Sequence, residues 1–271
     1  MALVQLFIFF LLMGSSAFGG EMSKNKTGLN AEEKKSYNIT FGSVLTSSLH
    51  ELDSNDHQLS NEFSISPTFD LGQGYTLFSS IAGTKDLKGE RKFYMGDGSV
   101  GVSTTLRKFG DLTITGTSAV AIPLSEGSKD IQTLRTSISL IPSFKYSVNK
   151  SIKLSYTPSA KLNIHEFKTS LTGSSNTQYQ LGNTAAFVFT GLDWVTAVAT
   201  ATYLRKFTYR GNTSDVYAFS QSLSFTPTPA TSITLGHAIG ANPLQPNGIE
   251  QEIKVFDERK SSVFTGFSFT Y

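Results

Sequence analysis

Residues 261–271 read SSVFTGFSFTY, and the way they alternate decides how the rest of the chain is understood. Successive side chains of an extended strand point to opposite faces. Val263, Thr265, Phe267, Phe269 and Tyr271 therefore share one face, and Ser262, Phe264, Gly266, Ser268 and Thr270 share the other. The first face is almost wholly apolar, the second mostly small or polar. Such a strand either hides its apolar face in a core or turns it towards lipid.

The same alternation returns along the chain, in runs at 37–51, 61–71, 75–84, 92–108, 112–122, 131–146, 152–165, 178–190, 194–207, 216–226, 232–241 and 254–271. Most are at least as long as the ~9–11 residues that a tilted membrane strand needs. In IKLSYTPSAKLNIH, Ile152, Leu154, Tyr156, Pro158, Ala160, Leu162 and Ile164 oppose Lys153, Ser155, Thr157, Ser159, Lys161 and Asn163. In NEFSISPTFDL, Phe63, Ile65, Phe69 and Leu71 oppose Glu62, Ser64, Ser66, Thr68 and Asp70. Tight connections (GQG after Leu71, FGD at Phe109, SVNKS at Ser147, GLD at Gly191, PTPAT at Pro227) alternate with longer, more polar ones around Asp53, Lys85, Glu126, Lys168, Gly211 and Pro246. Aromatic residues gather near the run ends, as membrane-interface girdles do. Pro67, Pro142 and Pro158 fall inside runs and predict bulges or terminal pairing, because proline removes a ladder donor.

Composition agrees with this pattern. The chain has 271 residues, 39% hydrophobic and 16% charged, enough for one large β-domain. A mean hydropathy of -0.10 is too low for a bundle of membrane helices. It is compatible with a membrane barrel, in which lipid-facing and interior residues alternate. The net charge of +2 is scattered without a basic stripe, which argues against a nucleic-acid partner. The absence of cysteine removes disulfides, thiolate metal sites and thiol catalysis together. Residues 1–19 carry an apolar run and then small residues, predicting a cleaved signal peptide, although no Lys or Arg precedes the run. Residues 20–36 are polar and without period, predicting a flexible periplasmic segment ahead of a barrel at 37–271.

The mature chain resembles the bacterial outer-membrane β-barrels of the porin-like class. The resemblance is carried by the alternating runs and by FTGFSFTY, where Phe267, Phe269 and the last residue, Tyr271, match the C-terminal signal of such proteins. It implies an all-β, antiparallel, up-and-down barrel of about twelve strands, with short periplasmic turns and longer outer loops. It also implies outer-membrane lipid and the barrel assembly machinery as partners. A class-level resemblance does not assign a function.

Chemical motifs are few. Gly96 to Gly101 fit G-x-G-x-x-G, yet the segment runs on into a strand rather than a helix, so it reads as glycines easing a curved strand. Asp53, Asn55 and His57 have alternate spacing but lack the glycine and distal glutamate of a calcium loop. They read as a solvated loop. A lipid-modifying enzyme of the serine-hydrolase kind would need a paired His and Ser. His165 ends a run on the interior face beside Glu166 and two residues after Asn163, and no serine lies close to it in sequence on that face except Ser159. No enzyme, cofactor or metal is expected. His237 shares its face with Ile233, Leu235 and Ile239, which suggests a slipped register, an interfacial histidine or a contact with a second copy of the chain.

The face opposite the apolar one is rich in Thr, Ser and Gly, as in Thr113, Thr115 and Thr117 or Ser220, Ser222 and Ser224. A barrel lined this way leaves room for water. The functional expectation is a passive diffusion channel for small polar or anionic solutes. The alternatives are a structural or surface-interaction barrel with a closed lumen and, third, an outer-membrane lipid-modifying enzyme. If SVNKS closes symmetrically, Lys145 faces Lys153 and Lys161 faces Ser137. Arg107, Arg135, Lys145, Lys153 and Lys161 then form a basic track along the interior.

Overall fold

The computed structural model describes residues 36–243 and 253–271. The expected signal peptide and residues 20–35 of the expected flexible segment lie outside them. The strands are β1 (Tyr37–Ser48), β2 (Leu59–Gly72), β3 (Tyr75–Asp86), β4 (Phe93–Met95), β5 (Gly98–Phe109), β6 (Leu112–Ile122), β7 (Leu134–Ser147), β8 (Ile152–His165), β9 (Thr177–Leu192), β10 (Val195–Thr208), β11 (Thr213–Thr228), β12 (Thr231–Ala241) and β13 (Ser261–Thr270). Each pairs antiparallel with its neighbours, β1 pairs with both β2 and β13, and the ladder closes on itself. The ring has twelve strands, and β4 is a short extra strand on the outer part of β3. The run expected at 92–108 is thus split into β4 and β5.

Closure leaves no unpaired edge. It reaches the last residue, whose N–H donates to the Ile39 carbonyl at 3.0 Å and whose carbonyl accepts from the Ile39 N–H at 3.2 Å. Large apolar side chains cover the outside, with Leu140 58%, Phe63 50% and Leu181 49% exposed. The described core is correspondingly sparse, as a hollow sheet requires.

One end of the barrel has tight turns. Gln73 and Gly74 join β2 to β3 with positive φ at both positions (52° and 82°), the geometry of a primed hairpin turn. At the other end most connections are longer. The exception is residues 209–212, which are short because β10 and β11 rise together and β11 starts at Thr213 rather than Val216. The final strand likewise begins at Ser261, not near Lys254.

The prolines do not make the expected bulges. Leu140 pairs with Ala160 and Phe144 with Tyr156, one unbroken register, and pairing lapses only between them, where Pro142 and Pro158 stand opposite each other. Each loses a single donor, so setting the two face to face confines the loss to one place. Pro67 keeps its pairing with Ile39, and only the ladder to β3 lapses there, between Ile65 and Thr68.

The long-loop end is held by side chains. The Asn176 amide donates to the carbonyls of Gln132 (2.7 Å) and Phe167 (2.8 Å), joining the β6–β7 and β8–β9 connections. Asp97 accepts from the Leu124 and Ser125 N–H groups and the Ser128 hydroxyl. Lys88 donates to the carbonyls of Leu52 and Ser54 across two further loops. His57, in the loop weighed for calcium, is turned to the Ser47 hydroxyl at 3.1 Å.

Candidate functional site

Directly paired residues project to the same side of a sheet, so the register sorts every strand into an interior and an exterior face. The interior carries Thr40, Gly42 and Thr46 on β1, Thr113, Thr115 and Thr117 on β6, Ser220, Ser222 and Ser224 on β11, and Thr234, Gly236 and Gly240 on β12. Hydroxyls meet between strands at Ser80 and Ser99 (2.8 Å), Ser143 and Thr157 (3.0 Å), and Ser224 and Thr234 (2.8 Å). Among the described residues, two of the inward aromatic rings cover glycines. Phe78 lies over Gly101 and Phe264 lies over Gly236, each on the neighbouring strand.

Of the five basic positions expected inside, three are interior. Lys145 pairs with Thr113 and Ser155, Lys153 with Ser147 and Val188, and Lys161 with Ser139 and Gln180. Lys145 therefore does not face Lys153, nor does Lys161 face Ser137. The turn after β7 is centred one residue later than a symmetric SVNKS closure. Asn149 Oδ1 accepts the N–H groups of Ser151 and Ile152, both at 2.8 Å, which shapes a longer loop and slides the pairing by two residues. Lys145 and Lys153 become diagonal neighbours, a gentler repulsion than direct opposition.

Arg107 and Arg135 lie elsewhere. A bulge between Thr105 and Arg107 turns Arg107 to the face of Ile114, with its guanidinium carbon 4.6 Å from the centre of the Phe109 ring. A second irregularity between Leu134 and Thr136 leaves Arg135 at the long-loop rim, where it pairs with Glu166 at 2.8 Å. An extra residue reverses the alternation beyond it, so a strict two-residue period misassigns the remainder of the strand.

Two further lysines, outside the expected track, are interior. Lys108 pairs with Thr113, because the same bulge that expels Arg107 brings Lys108 in. Lys206 pairs with Gln180 and Ser214, giving one interior row of Ser139, Lys161, Gln180, Lys206 and Ser214. Lys161 and Lys206 are two strand spacings apart, roughly 10 Å. Lys153 and Lys161 stand eight positions apart on β8, roughly 26 Å of strand. The lysines thus form two levels: Lys108, Lys145 and Lys153 towards the tight-turn end, Lys161 and Lys206 towards the loops.

Among the described residues, interior acids line the neighbouring strands β2 and β3, where Asp86 pairs with Ser60. Asp70 and Glu62 both project inward from β2, near its tight-turn and long-loop ends respectively. In a ring of twelve, β2 lies across from β9, whose neighbours β8 and β10 carry Lys161 and Lys206. Lys161 and Lys206 therefore stand across the ring from β2, whereas Lys108 on β5 is only two strands from it, and Asp97 at the loop end lies within electrostatic reach of Lys161. His165 is interior at the rim, its ring edge-on to Tyr209 at 5.7 Å. Among the described residues no group of three or more His, Asp or Glu converges as metal ligands do.

No protein-family model and no curated protein sequence matches the chain. Solved structures do. An outer-membrane channel from Pseudomonas putida F1 is similar over 92% of this chain and 100% of its own, with a TM-score of 0.63 and 8% identity. The NanC porin is similar over 85% and 98%, with a TM-score of 0.54 and 12% identity. The KdgM porin, solved in complex with disordered oligogalacturonate, is similar over 86% and 99%, with a TM-score of 0.53 and 9% identity. The closed twelve-stranded ladder, its apolar outside and this likeness give the chain the fold of the porin-like outer-membrane β-barrels.

Proposed function

We propose that this protein is an outer-membrane channel for the passive diffusion of small polar or anionic solutes. The observation that carries the proposal is the interior wall, with Ser, Thr and Gly for most of its height and two levels of lysine. Small hydroxylated groups leave volume for water. Lysines lining a confined passage lower the barrier for anions. The KdgM porin was solved in complex with disordered oligogalacturonate, which supports organic acids as the class of solute for the lysine levels here. Exposed apolar residues around the whole exterior suit outer-membrane lipid. Phe267, Phe269 and Tyr271, in one exterior column of the closing strand, are proposed as the signal read by the barrel assembly machinery.

Reversal potentials of the refolded protein in a planar bilayer under a salt gradient test the proposal. The wild type is expected to favour anions, and Lys161→Glu with Lys206→Glu to shift preference towards cations. Cation preference in the wild type, or no shift in the double variant, removes the role of the lysines. A second reading, a barrel closed inside, draws on the inward rings of Phe78 and Phe264. Absence of any conductance in correctly inserted protein would favour it.

A further inference from the structure

On the exterior, Phe187, Ala199, Gln221, His237 and Val263 form one row across β9 to β13. On the exterior face of β11, Gln221 lies midway between Tyr217 and Phe225, hence near the middle of the bilayer if these rings mark its two interfaces in the proposed membrane placement. Its side chain has no hydrogen-bond partner among the described residues, and neither does either ring nitrogen of His237. A polar group facing hydrocarbon without a partner is costly, because lipid offers none. Beside this pair the wall is hollowed. Ala197 and Ala199 floor a trough of about 520 Å³ between Phe187, Leu223 and Leu235. Above it, the Lys254 N–H donates to the Tyr217 hydroxyl at 3.1 Å and the Phe256 ring stacks on His237 at 5.6 Å, so residues 253–256 lie against the same wall. Ile253, Val255 and Phe256 remain 64%, 61% and 55% exposed.

We infer that this wall packs against the same wall of a second copy of the chain, with Gln221 at the contact. Two copies inserted in the same direction can be related only by an axis along the membrane normal, so each residue meets its counterpart at its own depth. Gln221 then meets Gln221 of the other copy. An amide carries both donors and acceptors, so this self-encounter satisfies both side chains, which a lipid chain in the trough cannot do. The alanine floor lets the two walls approach closely enough for the pairing, as small residues do elsewhere in membranes.

The inference rests on the membrane placement and not on conduction. The chain has no cysteine, so single substitutions report cleanly. In native outer membranes under oxidation, Gln221→Cys and Ala199→Cys are expected to shift to a species of two chains. Val102→Cys, exterior on the opposite strand β5, is expected to stay single. Native mass measurement of the wild type in lipid discs should give two chains, and Gln221→Leu with His237→Leu should give one. Quenching of a dye on Val102→Cys by spin-labelled lipid reports insertion separately. Quenched but single-chain protein, with or without a bound lipid, overturns the inference while leaving the placement intact. Equal cross-linking at Val102 and Gln221 overturns it as random collision.

Discussion

At the scale of the residue, the interior is shaped by glycines as much as by lysines. A Cβ added at Gly236 would meet the Phe264 ring and lie 2.8 Å from the Gln221 carbonyl oxygen; one added at Gly101 would lie 2.5 Å from Phe78 and 2.6 Å from the Ser118 carbonyl. The ring can turn aside, but the backbone oxygen cannot. Gly236→Val is therefore expected to destabilise the barrel by about 1–3 kcal/mol, the usual cost of overpacking. Adding Phe264→Leu should recover only part of that loss, because the carbonyl contact persists. Urea unfolding in detergent micelles checks both, and full recovery in the double variant would show that the ring alone sets the constraint. The same close approach lays each ring over the glycine of its neighbouring strand.

At the scale of the element, the strands and their faces were legible in the sequence because period two survives wherever pairing is regular. Ile152 to His165 sorted correctly at every position, and so did the closing strand. The rest was hidden because alternation cannot register a bulge or a shifted turn. The bulge at Thr105 exchanges Arg107 for Lys108, and the Asn149 side chain moves the β7–β8 register by two residues. Pro142 and Pro158 look disruptive in one dimension and become compatible only when seen opposite each other. Lys206 was readable in its run, yet its place beside Lys161 needed the pairing of β9 between them. The closing strand carries its own expectation. Removing residues 269–271 deletes the pairings of Phe269 and Thr270 with Phe41 and Thr40, and the Tyr271 bonds to Ile39. The seam opens at the tight-turn end and the proposed assembly signal is lost with it. Cell fractionation should find this truncation depleted from the outer membrane and degraded, whereas normal abundance there would detach assembly from these three residues.

At the scale of the whole molecule, the two ends of the barrel differ, and the difference is the ground for proposing a direction across the membrane. Tight turns such as Gln73 and Gly74 can be delivered through a bilayer with little polar surface, while the cross-braced loops around Asn176, Asp97 and Lys88 form a broad polar rim. Barrels of this class keep short turns on the periplasmic side. Arg210, at the tip of the tall β10–β11 hairpin, and Lys150, in the β7–β8 turn, are both exposed and stand at opposite ends. A chain without native cysteine allows each to be replaced singly by cysteine and probed with a membrane-impermeant maleimide. Arg210→Cys is expected to label on intact cells, and Lys150→Cys only after the outer membrane is permeabilised. The reverse pattern would invert the barrel and carry the Lys161 and Lys206 level to the periplasmic mouth. Labelling of both on intact cells would mean that the ring does not span the membrane, and the proposals of conduction and of pairing through Gln221 would fall together.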